Sequence, residues 1–194
     1  MRGRFIVREG ADGVGTTTQR ARLAAALTLR GRRVHETAQP STGAVGRLIR
    51  EVLGTRAHDD ATKRELALLF AADRLDHLRA EIEPRLTEGV DVISDRYLLS
   101  SYVYQSLDLP LAWVLELNKH APPADVTLLV TLPLELALAR LAARGNALDL
   151  FETRAVQERV HRLYEELAPL VDARTIDGHG SIDDVALRLL TALP

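Results

Sequence analysis

A glycine-rich segment near the start of the chain has the residue types and spacing of a phosphate-binding loop. Residues 9–18 read Glu-Gly-Ala-Asp-Gly-Val-Gly-Thr-Thr-Thr. The pattern G-x-x-x-x-G-K-[ST] surrounds phosphate with backbone N–H groups, adds a lysine beside the β- and γ-phosphates, and places a hydroxyl on Mg²⁺. Gly10 and Gly15 have this spacing and Thr17 supplies the hydroxyl, but Thr16 occupies the lysine position. The loop predicts a bound nucleotide and leaves open which cation neutralises its phosphates.

A second candidate group lies in the middle of the chain. Phe70 and Arg74 are four residues apart, so they share one face of a predicted helix. An aromatic plate beside a guanidinium suits recognition of a nucleotide base, one by stacking and the other by a directed hydrogen bond. Taken alone, Phe70 favours a core residue, and Arg74 a surface ion pair to Asp73 or Asp76.

A third group follows an apolar run that reads as a buried strand. Residues 95–97 are Asp-Arg-Tyr, and the polar side chains after them are Ser100, Ser101, Tyr104 and Gln105. Ligands of open α/β sheets bind outside the carboxyl ends of the strands, so this position favours function. Arg96 can hold a phosphate through two parallel hydrogen bonds. The alternative is a buried Asp–Arg pair followed by serines that cap a helix.

Alternating short apolar runs and longer amphipathic segments predict the elements that position these groups. Strands are expected at residues 4–8, 33–37, 90–94, 126–132 and 174–177. The longest helix is expected over residues 60–88, with Pro84 bending or interrupting it. Strands that alternate with helices at this spacing predict an α/β fold, a parallel sheet with helices on both faces.

Composition excludes several classes of protein. The formal net charge of −2 gives no reason to expect nucleic acid or an anionic membrane as a partner. The chain has no cysteine, which excludes disulfides, thiolate metal sites and a cysteine nucleophile. No run approaches the roughly 18 apolar residues that span a bilayer. We therefore expect a cytoplasmic protein, and one that relies on arginine, because Lys63 and Lys119 are its only lysines.

Together the three segments resemble the thymidylate kinase family. Its motifs E-G-x-D-G-x-G-K-[ST]-T, L-F-A-A-D-R and D-R-Y-x-x-S-S-x-A-Y-Q correspond to residues 9–18, 69–74 and 95–105. Weaker similarity covers most of the remaining chain. The resemblance implies a three-layer P-loop nucleoside-monophosphate kinase fold with a five-stranded parallel sheet, a single domain over residues 1–194 with a short lid near 143–151, and a homodimer.

The resemblance also implies an activity, the transfer of the γ-phosphoryl group of ATP to dTMP to give dTDP with Mg²⁺ as cofactor. The residues expected to hold ATP are Gly10, Gly13, Val14, Gly15, Thr16, Thr17, Thr18 and, in the lid, Arg144. The residues expected to hold dTMP are Pro40, Phe70, Arg74, Arg96, Ser101, Tyr104 and Gln105. Catalytic roles fall to Glu9, Asp12, Asp95 and Arg96, and the expected metal ligands are Thr17 and Asp95.

Three departures from the family pattern each remove positive charge. Thr16 replaces the loop lysine, residues 37–40 read Thr-Ala-Gln-Pro where relatives often have Thr-Arg-Glu-Pro, and residues 145–150 contain no arginine. In an active kinase another arginine must substitute, and the candidates are Arg8, Arg20, Arg140, Arg144 and Arg154. The alternatives are a nucleotide-binding regulatory protein with weak or no catalysis, and a kinase for another pyrimidine nucleotide. The complete set of acceptor residues favours the kinase.

Overall fold

The sheet of this chain carries the candidate groups at its carboxyl edge. The computed structural model describes residues 2–56, 59–143 and 150–194. Five strands, all parallel, form one sheet in the order β2-β3-β1-β4-β5. Their bounds are β1 Phe5–Glu9, β2 Val34–Ala38, β3 Asp91–Asp95, β4 Val126–Thr131 and β5 Arg174–Asp177. The five-stranded parallel sheet predicted from the sequence is confirmed.

Helices cover both faces because the chain reverses its direction of travel across the sheet. From β1 it moves to the β2 edge, and then it returns strand by strand to β5. Since connections between parallel strands are right-handed, this reversal places the helices between the later strands on the opposite face from the first helix. The helix after the last strand is not a crossover and can return to the first face. Accordingly α1 (Thr16–Leu29) packs with α9 (Ile182–Thr191) on one face. The other face carries α2 (Ala44–Thr55), α3 (Asp60–His77), α4 (Glu83–Thr87), α5 (Leu98–Gln105), α6 (Leu111–Asn118), α7 (Leu134–Ala143) and α8 (Leu150–Leu167).

The central strands supply the core. All five residues of β1 are buried, as are the first five of β4, because helices cover both faces of these strands. A continuous apolar run is the sequence pattern of such a strand, and Val126 to Val130 shows it. Among the described residues, none of the helices combines the length and the apolar character needed to cross a lipid bilayer.

The helix predicted over residues 60–88 is interrupted, as the position of Pro84 suggests. A five-residue π-helical turn, Leu78–Ile82, separates α3 from α4, and Pro84 lies in the first turn of α4. Proline lacks the N–H that would continue the α-helical ladder, and a wider turn absorbs such an irregularity. The regular part of α3 therefore ends at His77, beyond the pair Phe70 and Arg74 that faces the site.

Candidate active site

A pocket of about 510 Å³ opens at the carboxyl edge of the sheet, between the loop after β1 and helices α3 and α5. It contains eight of the predicted site residues: Asp12, Pro40, Phe70, Arg74, Arg96, Ser101, Tyr104 and Gln105. Gln39, Leu53, Lys63, Leu66, Tyr97, Ser100, Asp108 and Leu109 complete its lining. Three segments that are far apart in the sequence therefore meet around one cavity.

Arg74 closes one end of the pocket from inside the protein. It is 1% exposed, and its guanidinium lies 5.0 Å from the centre of the Tyr97 ring. Its Nε donates to Asn118 Oδ1 at 2.9 Å, and its two terminal nitrogens donate to Gln39 Oε1 and Ser101 Oγ. Burial lowers the pKa of this arginine, which is nevertheless always charged in proteins. Arg74 is thus a buried cation held by neutral oxygens, and the surface ion-pair interpretation is wrong.

Gln105 adds a hydrogen-bond acceptor at the same end. Its Nε2 donates to Ser101 Oγ at 3.4 Å, whereas its buried Oε1 has no partner among the described residues. A buried carbonyl without a donor is costly, roughly 1–3 kcal/mol, so it favours a ligand that brings one. Phe70 lies in the same lining and offers an aromatic face. This end can pair with a planar ring that donates to Gln105 and accepts from Arg74.

Arg96 forms the other end of the pocket, directly after β3. Its φ of 70° is in the left-handed region, which is rare for a residue with a side chain and is typical of functional sites. It donates to Asp12 Oδ1 at 2.7 Å and to the hydroxyls of Ser100 and Tyr164 at 3.1 Å. The guanidinium also stacks 5.0 Å from the Tyr104 ring centre. These contacts fix an arginine fork that faces the cavity.

The surroundings of Arg96 keep it charged and keep the nearby phenols neutral. Burial alone would lower the pKa of Arg96, but Tyr164, Tyr104 and Asp12 raise it well above its usual value. Burial raises the pKa of Tyr104 to about 12, against the opposing effect of Arg96. At neutral pH the pocket therefore presents a guanidinium and hydroxyl donors, the groups that bind a phosphate.

Glu9 lies behind the pocket and does not line it. Its buried carboxylate accepts hydrogen bonds from the backbone N–H groups of Tyr97 and Ser100, at 2.8 and 3.2 Å, and from Ser100 Oγ. Burial raises its pKa, and the bond from Ser100 opposes that shift. These bonds hold the turn after β3 and the first turn of α5, so Glu9 positions the segment that carries Arg96.

The glycine-rich loop adopts the backbone conformations that its sequence predicts. Gly10, Gly13 and Gly15 all have positive φ, and Gly15 immediately precedes the first residue of α1. A side chain at Gly13 would place its Cβ 2.6 Å from the carbonyl oxygen of Ala137, so the loop is packed against α7. The N-terminus of a helix that follows such a loop is a ready anion site.

The structure describes the other residues predicted to bind ATP only in part. Val14 is buried and Thr18 is exposed. For Thr16 and Thr17 the structure describes the backbone, at the start of α1, but not the side chains. Arg144, together with most of the predicted lid, lies outside the described residues.

Asp95 forms an ion pair with a buried arginine instead of facing the pocket. Arg8 is 0% exposed, and its Nη2 donates to Asp95 Oδ1 at 2.5 Å. Its Nε and Nη1 have no hydrogen-bond partner among the described residues. Burial lowers the pKa of Arg8, and Asp95 counteracts this. Leaving donors of a buried cation unpaired costs at least about 1–3 kcal/mol, so an arginine at this position of a core strand destabilises the fold.

The acidic residues that the structure describes at the site offer few ligands for a metal ion. In the part of the chain that the structure describes, no three His, Asp or Glu side chains group as metal ligands. Arg8 engages one oxygen of Asp95, and Arg96 engages Asp12. A kinase Mg²⁺ uses one or two carboxylates, water and the substrate phosphates. The second oxygen of Asp95 fits that requirement.

Sequence reasoning missed several residues that shape the pocket. Asn118 and Gln39 hold Arg74, and Tyr164 binds Arg96 from α8. Tyr97 and Ser100 belong to the segment that the sequence singled out, but it assigned them no role in the site. Asn118 and Tyr164 gave no signal, because each meets its arginine across more than forty residues of sequence.

The fold and the site define a P-loop protein of the nucleoside-monophosphate kinase class. A phosphate-binding loop joins β1 to α1, and a second pocket with its own arginine fork adjoins it at the carboxyl edge of β3. The loop and the pocket are thus two adjoining candidate binding sites.

Comparison with known proteins identifies the family. A family model described as Thymidylate kinase matches residues 9–187. A probable thymidylate kinase of Pyrococcus horikoshii is 38% identical over 190 residues, which cover 95% of this chain and 93% of that protein. A putative thymidylate kinase of Treponema pallidum is 37% identical over 195 residues, covering 96% and 92%. The chain belongs to the thymidylate kinase family.

Proposed function

We propose that this chain transfers the γ-phosphoryl group of ATP to dTMP, giving ADP and dTDP. The observation that carries the proposal is the pocket with Arg96 at one end and Arg74 with Gln105 at the other. The first end suits a monophosphate and the second a pyrimidine edge. Family membership supports the same reaction and does not favour the alternative of a regulatory nucleotide-binding protein.

The base end favours thymine or uracil over cytosine. Thymine offers an N3–H donor and an adjacent carbonyl oxygen, which match Gln105 Oε1 and the remaining N–H groups of Arg74. Cytosine has a bare ring nitrogen and an amino group at these positions, so both contacts become repulsive. Phe70 would provide a face for stacking, Pro40 and Ser101 would complete the wall, and Tyr104, which lines the same pocket beside Arg96, would contact the deoxyribose.

The reaction needs positioning and charge neutralisation more than covalent chemistry. Arg96 holds the dTMP phosphate so that one of its oxygens forms the new bond to the γ-phosphorus. The bond between that phosphorus and the β,γ-bridging oxygen breaks, and the electron pair leaves with ADP. Asp12, which pairs with Arg96 at 2.7 Å, keeps the fork oriented and would lie near the 3′-hydroxyl of the bound nucleotide.

The donor half of the site is the loop of residues 10–18. Its backbone N–H groups and the start of α1 would hold the ATP phosphates, and Arg144 in a lid at 143–151 would cover them. Thr17 and Asp95 would hold Mg²⁺, which would neutralise phosphate charge when bound with ATP. We further propose one kinase domain over residues 1–194, acting in the cytoplasm on free nucleotides and not on nucleic acid.

A coupled assay with ATP, Mg²⁺ and each of dTMP, dUMP, dCMP, dGMP and dAMP tests the function. We expect turnover to be highest with dTMP and at least about 10³-fold lower in kcat/KM with dCMP, because a site built for hydrogen bonds rejects a mismatched edge strongly. Absence of turnover with every acceptor, while ADP still binds, would establish the regulatory protein instead.

Replacing Gln105 by alanine tests the base end. We expect kcat/KM for dTMP to fall by about 10- to 100-fold, since the N3–H loses its acceptor. The ratio of dTMP to dCMP turnover should fall as well, because the repulsive carbonyl is gone. The same assay measures both values, and the KM for ATP should not change. An unchanged ratio would show that Gln105 does not read the base.

A homodimer through α3 is also part of the proposal. Leu68 and Leu75 are 52% and 44% exposed, and they lie on the side of α3 that is turned away from Phe70 and Arg74. Sedimentation of the 21.4 kDa chain should give a mass of about two copies, and Leu68→Asp should give one. Leu187→Asp, at a leucine of α9 that is 64% exposed, is the matched control and should leave the dimer intact. A monomeric wild-type chain would contradict this.

A further inference from the structure

The donor loop lacks a cation at Thr16. The contacts of the described arginines show which of them could replace it. Arg20 is paired with Glu36 at 2.9 Å, at the β2 side of the sheet. Arg154 on α8 is held by Glu135 and Glu158. Both charges are already matched by carboxylates, which makes these two residues poor substitutes.

Arg140 reaches the loop from α7. Its Nη1 lies 3.7 Å from the point where a Cβ on Gly15 would stand. This arginine is half-buried on α7. It is a second cation near the loop and the natural competitor in any test.

Arg8 lies at the base of the loop. It is two residues before Gly10, and its side chain points away from the face where Glu9 meets Ser100, towards the face that carries α1. The guanidinium reaches Asp95, the last residue of β3, so its charge is at the carboxyl edge where α1 begins. It is fully buried, and two of its three nitrogens find no acceptor among the described residues.

We propose that Arg8 supplies the positive charge of the donor site from beneath the loop, in place of the lysine that is missing at Thr16. The inference rests on the proposed function, because it concerns the ATP phosphates of that reaction. A single carboxylate only partly compensates the guanidinium, and a charge buried in a low-dielectric interior acts strongly on nearby groups. Arg8 thereby adds to the field of the α1 N-terminus at the loop. It is a positioning residue, since the loop separates it from the nucleotide.

The test compares nucleotides that differ only in phosphate number. Calorimetric titration with ADP and with AMP, both with Mg²⁺, measures affinity for Arg8→Met in the full chain. We expect ADP to bind about 100-fold more weakly and AMP to lose less, because the lost charge acts on the β-phosphate. Affinity for dTMP should be unchanged, which also reports an intact fold. Equal losses for ADP and AMP, or none, would overturn the proposal.

A rescue variant separates charge from packing. Adding Thr16→Lys to Arg8→Met returns a cation to the loop, so ADP affinity and kcat should recover most of their loss. Failure of this rescue in a folded double variant would show a purely structural role. If Arg8→Met does not fold, Arg8→Lys tests the proposal instead, because lysine keeps the charge. Retained ADP affinity in Arg8→Lys supports the proposal. Full loss of ADP affinity in a folded Arg8→Lys protein refutes it.

Arg140→Met is the matched control for Arg8→Met, because it removes a half-buried arginine near the same loop. We expect it to weaken ADP binding less than Arg8→Met does. The reverse order would make Arg140 the substitute cation and overturn the proposal. A wild-type chain that binds ADP but transfers no phosphoryl group would refute the proposed function and leave the role of Arg8 in ADP binding to be judged by the variants.

Discussion

Arg96→Met is expected to lower kcat/KM for dTMP by about 10²- to 10³-fold, while leaving ADP affinity unchanged. The fork of Arg96 is held by Asp12, Ser100 and Tyr164, and it faces the end of the pocket that suits a phosphate. Methionine keeps much of the length of the side chain and can still contact the Tyr104 ring, but it removes the charge and every N–H donor. The loss should therefore appear in both KM for dTMP and kcat, because the phosphate is bound less tightly and aimed less well.

Arg22→Met is the control for this variant. Arg22 is an exposed arginine of α1, paired loosely with Asp183 at 3.6 Å and distant from the pocket. It should retain wild-type kinetics in the coupled assay. Arg96→Lys adds a second comparison, since lysine keeps the charge but cannot form two parallel bonds. Wild-type kcat/KM in Arg96→Met would show that another group holds the acceptor phosphate.

Gly13→Ala is expected to remove donor-site function more completely than any other single change in the loop. Its φ of 86° disfavours a side chain by about 1–2 kcal/mol, and the added Cβ would stand 2.6 Å from the oxygen of Ala137. The loop must then move away from α7 by a large part of an ångström. Because a displacement of 1 Å can cost about 10²-fold in rate, we expect kcat to fall by at least that factor.

Gly31→Ala provides the control for backbone strain alone. Gly31 has a φ of 77°, but nothing lies within 4 Å of the position its Cβ would take. It should lose about 1–2 kcal/mol in urea unfolding and keep its turnover. If Gly13→Ala lost only that amount of stability and retained full kcat, the loop would not need its packing against α7.

The elements that were predictable are those with a strong local pattern. Val126 to Val130 is buried on both faces and reads as a continuous apolar run, so β4 was expected from sequence. The loop glycines were equally predictable, because the turn between β1 and α1 needs backbone positions with positive φ, which favour glycine. The Asp-Arg-Tyr segment lies at the end of β3, where the general rule for α/β sheets places ligands.

What could not be predicted depends on long-range contacts. Arg74 alone was compatible with a surface ion pair, and only the folded chain brings Asn118 and Gln39 to it. Arg8 stood out as a charge in a core strand, yet the pattern could not say that Asp95 would meet it. Contacts between side chains of different helices leave no periodic pattern in the sequence, whereas helices and strands do.

The alternation of Arg8 and Glu9 also determines how β1 aligns with its neighbours. All five residues of β1 are buried, so apolar patterning alone specifies its register only weakly. In the native pairing Arg8 lies opposite Asp95, and Glu9 on the other face receives Tyr97 and Ser100. A slip by one residue would bring Glu9 beside Asp95, two carboxylates together, and move Arg8 away from its ion-pair partner. Two adjacent charges of opposite sign thus favour the native register of the strand that carries the loop and disfavour a shift by one residue.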